Sequence, residues 1–405
     1  MADSVSIKIN KDLRPAYYDD FHCLAADCRF SCCKAWRISF DKKDYLSLKR
    51  QKGTEDLNNR LEHGLRRIRK GPLAETYYGE FDMSGGDCPL LREDGLCILQ
   101  IEKDHAALPL VCRAFPRARS YRAGYLERSL SPACEGVLEL LWNLPDGVEF
   151  RSDPLPKKER GTLAVSGEQS LVPFFQPIRE WCIDMLQDRR LPLPQRILLI
   201  GFALRELAEG ERDIPAWLSR ARALREAEEL PELPREERAL AMFLTSNLYT
   251  LSRLDNTGEC YDGIRSGVPQ ALGVTLRAGT TRVTIPVAPY QAARQRYEEN
   301  FKGREYFMEN LMVSLFFQLN LPNLKSGEEL WKSYVNFCNL YAFYRFMAVA
   351  SCREGGAGDK AELFRLIVFA SRGMIHNGAR QTDLRDELFR NDSATLAHMA
   401  ILLGG

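Results

Sequence analysis

The chain has 405 residues, 45% of them hydrophobic and 27% charged, which excludes a disordered or low-complexity protein and leaves room for two or three domains. The formal net charge is +1, and acids balance bases over residues 1–150, so no overall field draws the chain to nucleic acid or to a membrane surface. The opening MADSVSIKIN lacks the apolar run of a signal peptide. The longest apolar candidate, RILLIGFALREL, is too short and too charged for a span of roughly 18 residues. The expectation is a cytoplasmic protein with neither nucleic acid nor membrane as partner.

In chain order, the first conspicuous stretch is FHCLAADCRFSCCKAW, with Cys23, Cys28, Cys32 and Cys33. A helix over 27–33 would put Cys28 and Cys32 on one face and turn Cys33 away by about 100°. DKKDYLSLKRQ and TEDLNNRLEHGLRRIRK follow as predicted helices, with acid or hydroxyl caps in front and basic last turns that suit the helix dipole. TYYGEFDM offers the carboxylates of Glu80 and Asp82 beside aromatic rings that could flank a cation or simply anchor an exposed edge or turn. CPLLREDGLCILQ places the tight-turn pair Asp94-Gly95 between Cys88 and Cys97, which would fold the two thiols together. VCRAFPR brings Cys112 and SPACEG brings Cys134. RAFPRARSYRAGYLER carries Arg113, Arg117, Arg119, Arg122 and Arg128 against one acid, a set suited to a cofactor carboxylate or simply to a solvated face.

RSDPLPKKERGT reads as a linker, and beyond it the pattern turns helical. Predicted helices are SLVPFFQPIREWCIDMLQ, PQRILLIGFALRELAEG, IPAWLSRARALREAEEL, REERALAMFLTSNLYTLSRL, APYQAARQRYEENFKG, YFMENLMVSLFFQLNL, GEELWKSYVNFCNLYAFYRFMAVAS, KAELFRLIVFASRGMIH and DSATLAHMAILL. Only GVTLRAGTTRVTIPV reads as strand. EGGAGDK, between two of these helices, reads as a loop, and no strand–GxGxxG–helix fingerprint of nucleotide binding occurs. The expected fold class is mainly α: a cysteine-rich metal-binding region with short turns and a hairpin over 1–150, then a large α-helical domain over 151–405.

A reducing compartment disfavours structural disulfides, so the 12 cysteines need another account. Cys182, Cys260, Cys338 and Cys352 stand singly in apolar helical sequence and read as small core residues. The other eight, Cys23 to Cys134, read as metal ligands. Four thiolates suit zinc or an iron–sulfur cluster equally. The spacings contain neither the paired CxxC knuckles of zinc ribbons nor a CxxxCxxC triad. His22 and His105 lie nearby and read as surface or packing residues.

FHCLAADCRFSCCKAWRISFDKKDY, CPLLREDGLCILQ, LPLVCRAFPR and ERSLSPACEGVLELLW together resemble the flagellin lysine N-methylase family. Their cysteine order also resembles a wider group of zinc- or iron-chelating proteins. The resemblance implies methyl transfer from S-adenosylmethionine to lysine side chains of flagellin, and a [4Fe-4S] cluster assembled by the cysteines, with zinc as the alternative metal. This chain departs from the family pattern at Gln100 and at Gly136, while all eight thiols remain. Lysine has a pKa near 10.4, so the amine must lose its proton before it attacks. The transfer then depends on holding amine and methyl carbon in line. Glu80 and Asp82 are the candidate bases, and Arg113 and Arg117 the candidate cofactor-binding cations. A non-catalytic metal-binding interaction module and an iron–sulfur redox sensor are the competing readings; the long helical part favours the enzyme.

Overall fold

The computed structural model of the chain describes residues 5–34, 36–165, 171–226, 232–254, 259–276, 283–376 and 386–405. The N-terminal half interleaves short strands and helices. In order these are β1 (Val5–Ile9), β2 (Lys11–Pro15), β3 (Ser39–Phe40), α1 (Lys42–Arg50), α2 (Glu55–Gly64), β4 (Leu65–Arg67), β5 (Gly79–Phe81), α3 (Ile98–Glu102) and α4 (Leu110–Ala114). There follow β6 (Arg117–Arg122), β7 (Tyr125–Leu130), α5 (Glu135–Trp142), β8 (Phe150–Pro154) and β9 (Gly161–Val165). Beyond them the described chain is almost entirely helical: α6 (Phe175–Leu186), α7 (Leu193–Glu209), α8 (Ile214–Ala223), α9 (Glu237–Ser252) and α10 (Glu259–Ala271). After the short pair β10 (Thr275–Leu276) and β11 (Val283–Thr284) come α11 (Ala288–Asn300), α12 (Tyr306–Gln318), α13 (Gly327–Ala350), α14 (Lys360–Met374) and α15 (Leu396–Gly404). The chain is mainly α, as its periodicity predicts.

Helix boundaries follow local chemistry. Asp41 caps α1 by accepting from the Asp44 N–H, and Lys49 and Arg50 close its last turn. Thr54 caps α2 in the same way through the Leu57 N–H. The expected helix from 54 to 70 stops at Gly64, whose Cα lies against the Pro89 ring; Leu65–Arg67 then turns into β4 and pairs with β5. The segment expected to be a linker is strand as well: β8 pairs antiparallel with β2 from Lys11↔Pro154 to Pro15↔Phe150. Helix α10 escapes the periodic reading because Gly263, Gly267 and Pro269 dilute it. GVTLRAGTTRVTIPV gives the pair β10–β11, with 277–282 outside the described residues.

The main sheet has the order β6-β7-β2-β8, with β2 and β7 parallel. β6 and β7 form a hairpin whose turn, Ala123-Gly124, has positive φ at both positions (43° and 91°), the requirement of a tight turn matched to strand twist. A second sheet, β3-β5-β4, serves a small lobe.

Two apolar clusters organise the chain. The larger draws Tyr17, Phe21, Leu130, Val137 and Trp142 into one core with α6 to α15. Helix α13 lies at its centre, packed against α7, α9, α11, α14 and α15, and is buried nearly all round, as a helix with apolar residues on every face must be. The smaller cluster gathers Ile38, Phe40, Leu48, Leu57, Phe81, Leu90 and Leu99, with Cys88 inside it and Cys33, Cys97 and Cys112 at its margin. Cys182, Cys338 and Cys352 are buried core residues, and the Cys260 side chain lies outside the described residues. No described helix is long and apolar enough to cross a membrane.

Candidate metal centre

The thiols are presented by turns and helix ends. Residues 27–33 are not a helix: a short 3-10 turn, Ala25–Asp27, is followed by turns, so Cys28 and Cys32 share no helical face. The Cys88 N–H donates to the Cys33 carbonyl at 2.8 Å, which ties the first cysteine stretch to the second. Between Cys88 and Cys97 the chain reverses as the Asp94-Gly95 pair requires, with the Arg92 N–H on the Leu96 carbonyl, an isolated Leu91–Cys97 bridge and Gly95 at φ 78°.

Backbone dipoles converge on several sulfurs. The N–H groups of Leu90 and Leu91 face Cys88, those of Gln100 and Leu99 face Cys97 at the start of α3, and those of Val137 and Gly136 face Cys134 at the start of α5. At the two helix starts these are not formal caps; they act on the sulfur as oriented dipoles. They favour thiolate, the form that binds metal. Burial opposes them and prevails, pushing Cys88 to about 12, Cys134 to about 11, Cys97 upward and Cys112 well upward. Such buried thiols ionise when a cation shares their site.

Electrostatic reach sorts the eight thiols. Cys32, Cys88, Cys97 and Cys112 act on one another, and Cys33 acts with Cys32, Cys88 and Cys97. Cys134 feels Cys32 and Cys23, and Cys28 feels Cys134. Cys32 therefore lies where the two groups meet. Its thiol and that of Cys33 are hydrogen-bonded; the bond favours a Cys32 thiolate, lowering it to about 7 against the cost of burial, with Arg372 acting in the same sense. The same bond pushes Cys33 up. Among the described residues, no three His, Cys, Asp or Glu side chains are disposed to hold one metal ion as they stand. The donor set itself, thiols supported by amide dipoles and a cation, fits the chemistry of an anionic thiolate-bound metal group.

Two side chains outside the cysteine pattern fix the loops. Glu135, 1% exposed, accepts from the backbone N–H groups of Arg29 (2.6 Å) and Phe30 (3.1 Å) and from the Arg29 guanidinium; the Cys28 thiol points to it at 3.5 Å. Arg372 of α14, 3% exposed, donates to the carbonyls of Phe30, Lys34 and Ala133 and to the Tyr261 hydroxyl. Its guanidinium lies over the Trp36 ring. Trp36 donates its indole N–H to the Cys32 carbonyl at 2.6 Å and meets Phe115 and His376 edge-on. The His376 ring reaches solvent on one side and shares a 2.8 Å hydrogen bond with Ser131. Its dense surroundings and then the Arg372 charge lower its pKa to about 4, which keeps the ring neutral.

The other expected site residues sit elsewhere in local contacts. Glu80 pairs with Arg37 and Asp82 with Arg66 at 2.5 Å, both on the β3-β5-β4 sheet side. Arg113 donates to the Ala106 carbonyl. Arg117 donates to the Phe21 carbonyl and covers the Phe21 ring. Arg128 is bound between Asp12 and Glu159. Glu135, Arg372 and His376 were not legible as site residues. The available signal was an arginine set in the apolar run of KAELFRLIVFASRGMIH.

Residues 179–402, more than half of the chain, match the model of the FliB lysine N-methylase C-terminal domain. The chain is 24% identical over 380 residues to the "Lysine-N-methylase" of Salmonella typhimurium strain LT2, covering 90% of this chain and 91% of that protein. The same figures hold for the "Lysine-N-methylase" of Salmonella choleraesuis strain SC-B67. Similarity to the "Flagellar biosynthetic protein FliU" of Salmonella muenchen is 32% over 139 residues, 33% of this chain and 78% of that one. No solved structure matches.

Proposed function

The chain belongs to the FliB lysine N-methylase family, and from that premise we propose that it methylates lysine side chains of flagellin, with S-adenosylmethionine as methyl donor and a cysteine-held [4Fe-4S] cluster. The observation that carries the reading is similarity along 90% of the chain to proteins named lysine-N-methylase, spanning both the cysteine loops and the helices that hold them. A flagellar substrate is supported by the family resemblance and by the name of the third relative.

Cys32, Cys33, Cys88, Cys97 and Cys112, which act on one another electrostatically, would hold the cluster, with Cys23, Cys28 and Cys134 as the remaining candidate ligands. Bound there, the cluster would supply an open iron for the methionine part of the donor, or a rigid support for the loops around it. The protein's own residues supply the electrostatics. The buried Arg372 charge favours thiolates and anionic donor groups such as a carboxylate. It also raises the cost of an ammonium nearby, which lowers the pKa of an entering lysine and favours the neutral, nucleophilic amine. His376, hydrogen-bonded to Ser131 and edge-on to Trp36, presents a neutral imidazole beside that ring. Glu80 and Asp82, tied in arginine pairs, remain candidate bases only through release from those partners.

The test is direct. Purified chain, flagellin and methyl-deuterated S-adenosylmethionine are combined, and flagellin lysines are read by mass spectrometry. Deuterated methyl-lysine is the expected product; unlabelled flagellin, with donor and folded enzyme both present, would overturn the assignment.

A further inference from the structure

Arg372 belongs to the helical half of the chain, yet all of its backbone acceptors belong to the cysteine loops. Nε reaches the Ala133 carbonyl at 3.3 Å, next to Cys134. One terminal nitrogen reaches the Lys34 carbonyl at 3.2 Å, next to Cys33, and the Tyr261 hydroxyl at 3.0 Å. The other reaches the Phe30 carbonyl at 2.6 Å, two residues before Cys32. These carbonyls lie 239 to 342 positions away along the sequence. The charge is almost fully buried, and its hydrogen-bond partners among the described residues are three carbonyls and one hydroxyl. A buried guanidinium facing only neutral oxygens and a ring is costly by itself. An anionic group held by the cysteine loops would offset that cost.

We propose that Arg372 is the positioning residue of the cysteine centre: it locks the Phe30–Lys34 loop to the Ala133–Cys134 turn and supplies a fixed positive charge to the metal–thiolate group. The proposal rests on the cysteine-held metal of the previous section. Five planar donors fix the relative placement of the two loops, as a lysine ammonium cannot. The charge would stabilise the more negative oxidation state of a cluster bound there and so raise its reduction potential. The helical half thereby takes part in the centre, although it contributes none of the eight thiols.

Full-length wild type, Arg372→Lys and Arg372→Gln are purified anaerobically. Iron, zinc and sulfide per chain, the potential of the centre and circular dichroism are recorded, together with metal affinity in a chelator competition. Arg372→Gln should show a more negative potential and a roughly 10- to 100-fold loss of metal affinity, the scale of outer-shell effects at metal sites. Arg372→Lys, which keeps the charge and loses the fork, should lose affinity and hold a potential near wild type. Tyr261→Phe removes one partner without touching the loops and should leave the potential unmoved, which reports the behaviour of a packing change. Equal potentials and affinities in wild type and Arg372→Gln would overturn the proposal and leave the metal reading standing. Zinc in place of iron would overturn the cluster reading, and the clamp would then stand or fall on zinc affinity alone. Wild-type protein that binds no metal would overturn both.

Discussion

Glu135, at the start of α5, holds the Arg29–Phe30 turn by accepting both of its backbone N–H groups. Its partners, the N–H groups of Arg29 and Phe30, lie 106 and 105 positions away, and no local pattern records that distance. The thiols are legible because eight of the twelve cysteines crowd between positions 23 and 134; the groups that hold their loops are ordinary residue types. Glu135→Ala leaves two backbone donors and a half-buried thiol without their acceptor, and should cost about 2–3 kcal/mol in urea unfolding. In metal-free protein the same change should speed alkylation of Cys28 relative to Cys182, which is buried in the helical core. Unchanged stability with unchanged Cys28 reactivity would remove Glu135 from the account.

At the scale of elements, most C-terminal helices were legible from apolar spacing because each packs one face on a common core. The misses have local causes: Gly64 against Pro89 ends α2 early, and strand pairing draws 150–154 into the sheet as β8. What spacing does not record is how elements join. α7 and α13 meet where Gly201 faces the Tyr334 hydroxyl so closely that an added Cβ would overlap it. Alanine favours a free helix over glycine by about 1 kcal/mol. Gly201→Ala should nevertheless lower stability by about 1–3 kcal/mol through overpacking, and Tyr334→Phe should recover part of it. Thermal unfolding of the three variants decides this; a stabilised Gly201→Ala would contradict the close approach. β7 and α6 meet through Glu127 and Arg179, an ion pair at 2% and 1% exposure with two parallel contacts. Arg179→Met alone should cost about 3–5 kcal/mol, and Glu127→Leu with Arg179→Met should recover most of it. A double variant no better than the single one would show that the pair is indispensable to the join.

Across the whole molecule, the helical core and the cysteine loops meet at α14. At its start, Glu362 accepts from Arg353 and Arg365. Burial works against its charged form, but the two guanidinium partners prevail and hold its pKa below the usual value. A depressed folded pKa stabilises the protein above the unfolded value of about 4.3, and that contribution disappears as pH falls through the folded value. Glu362→Gln should therefore lower stability at pH 7 by about 2 kcal/mol and make the loss of stability below pH 4 shallower. An unchanged acid profile would show that this pair contributes nothing to the anchoring of α14.

In the proposed function, cysteine loops and helices together build one metal-bearing centre serving methyl transfer. The measurement that reaches it most directly is the visible spectrum of anaerobically purified full-length protein, with iron and sulfide determined on the same sample before and after S-adenosylmethionine is added. The expected result is brown protein with iron and sulfide in cluster proportion and a spectrum that shifts when the donor is added. Colourless protein carrying stoichiometric zinc, with no change on adding the donor, would contradict it.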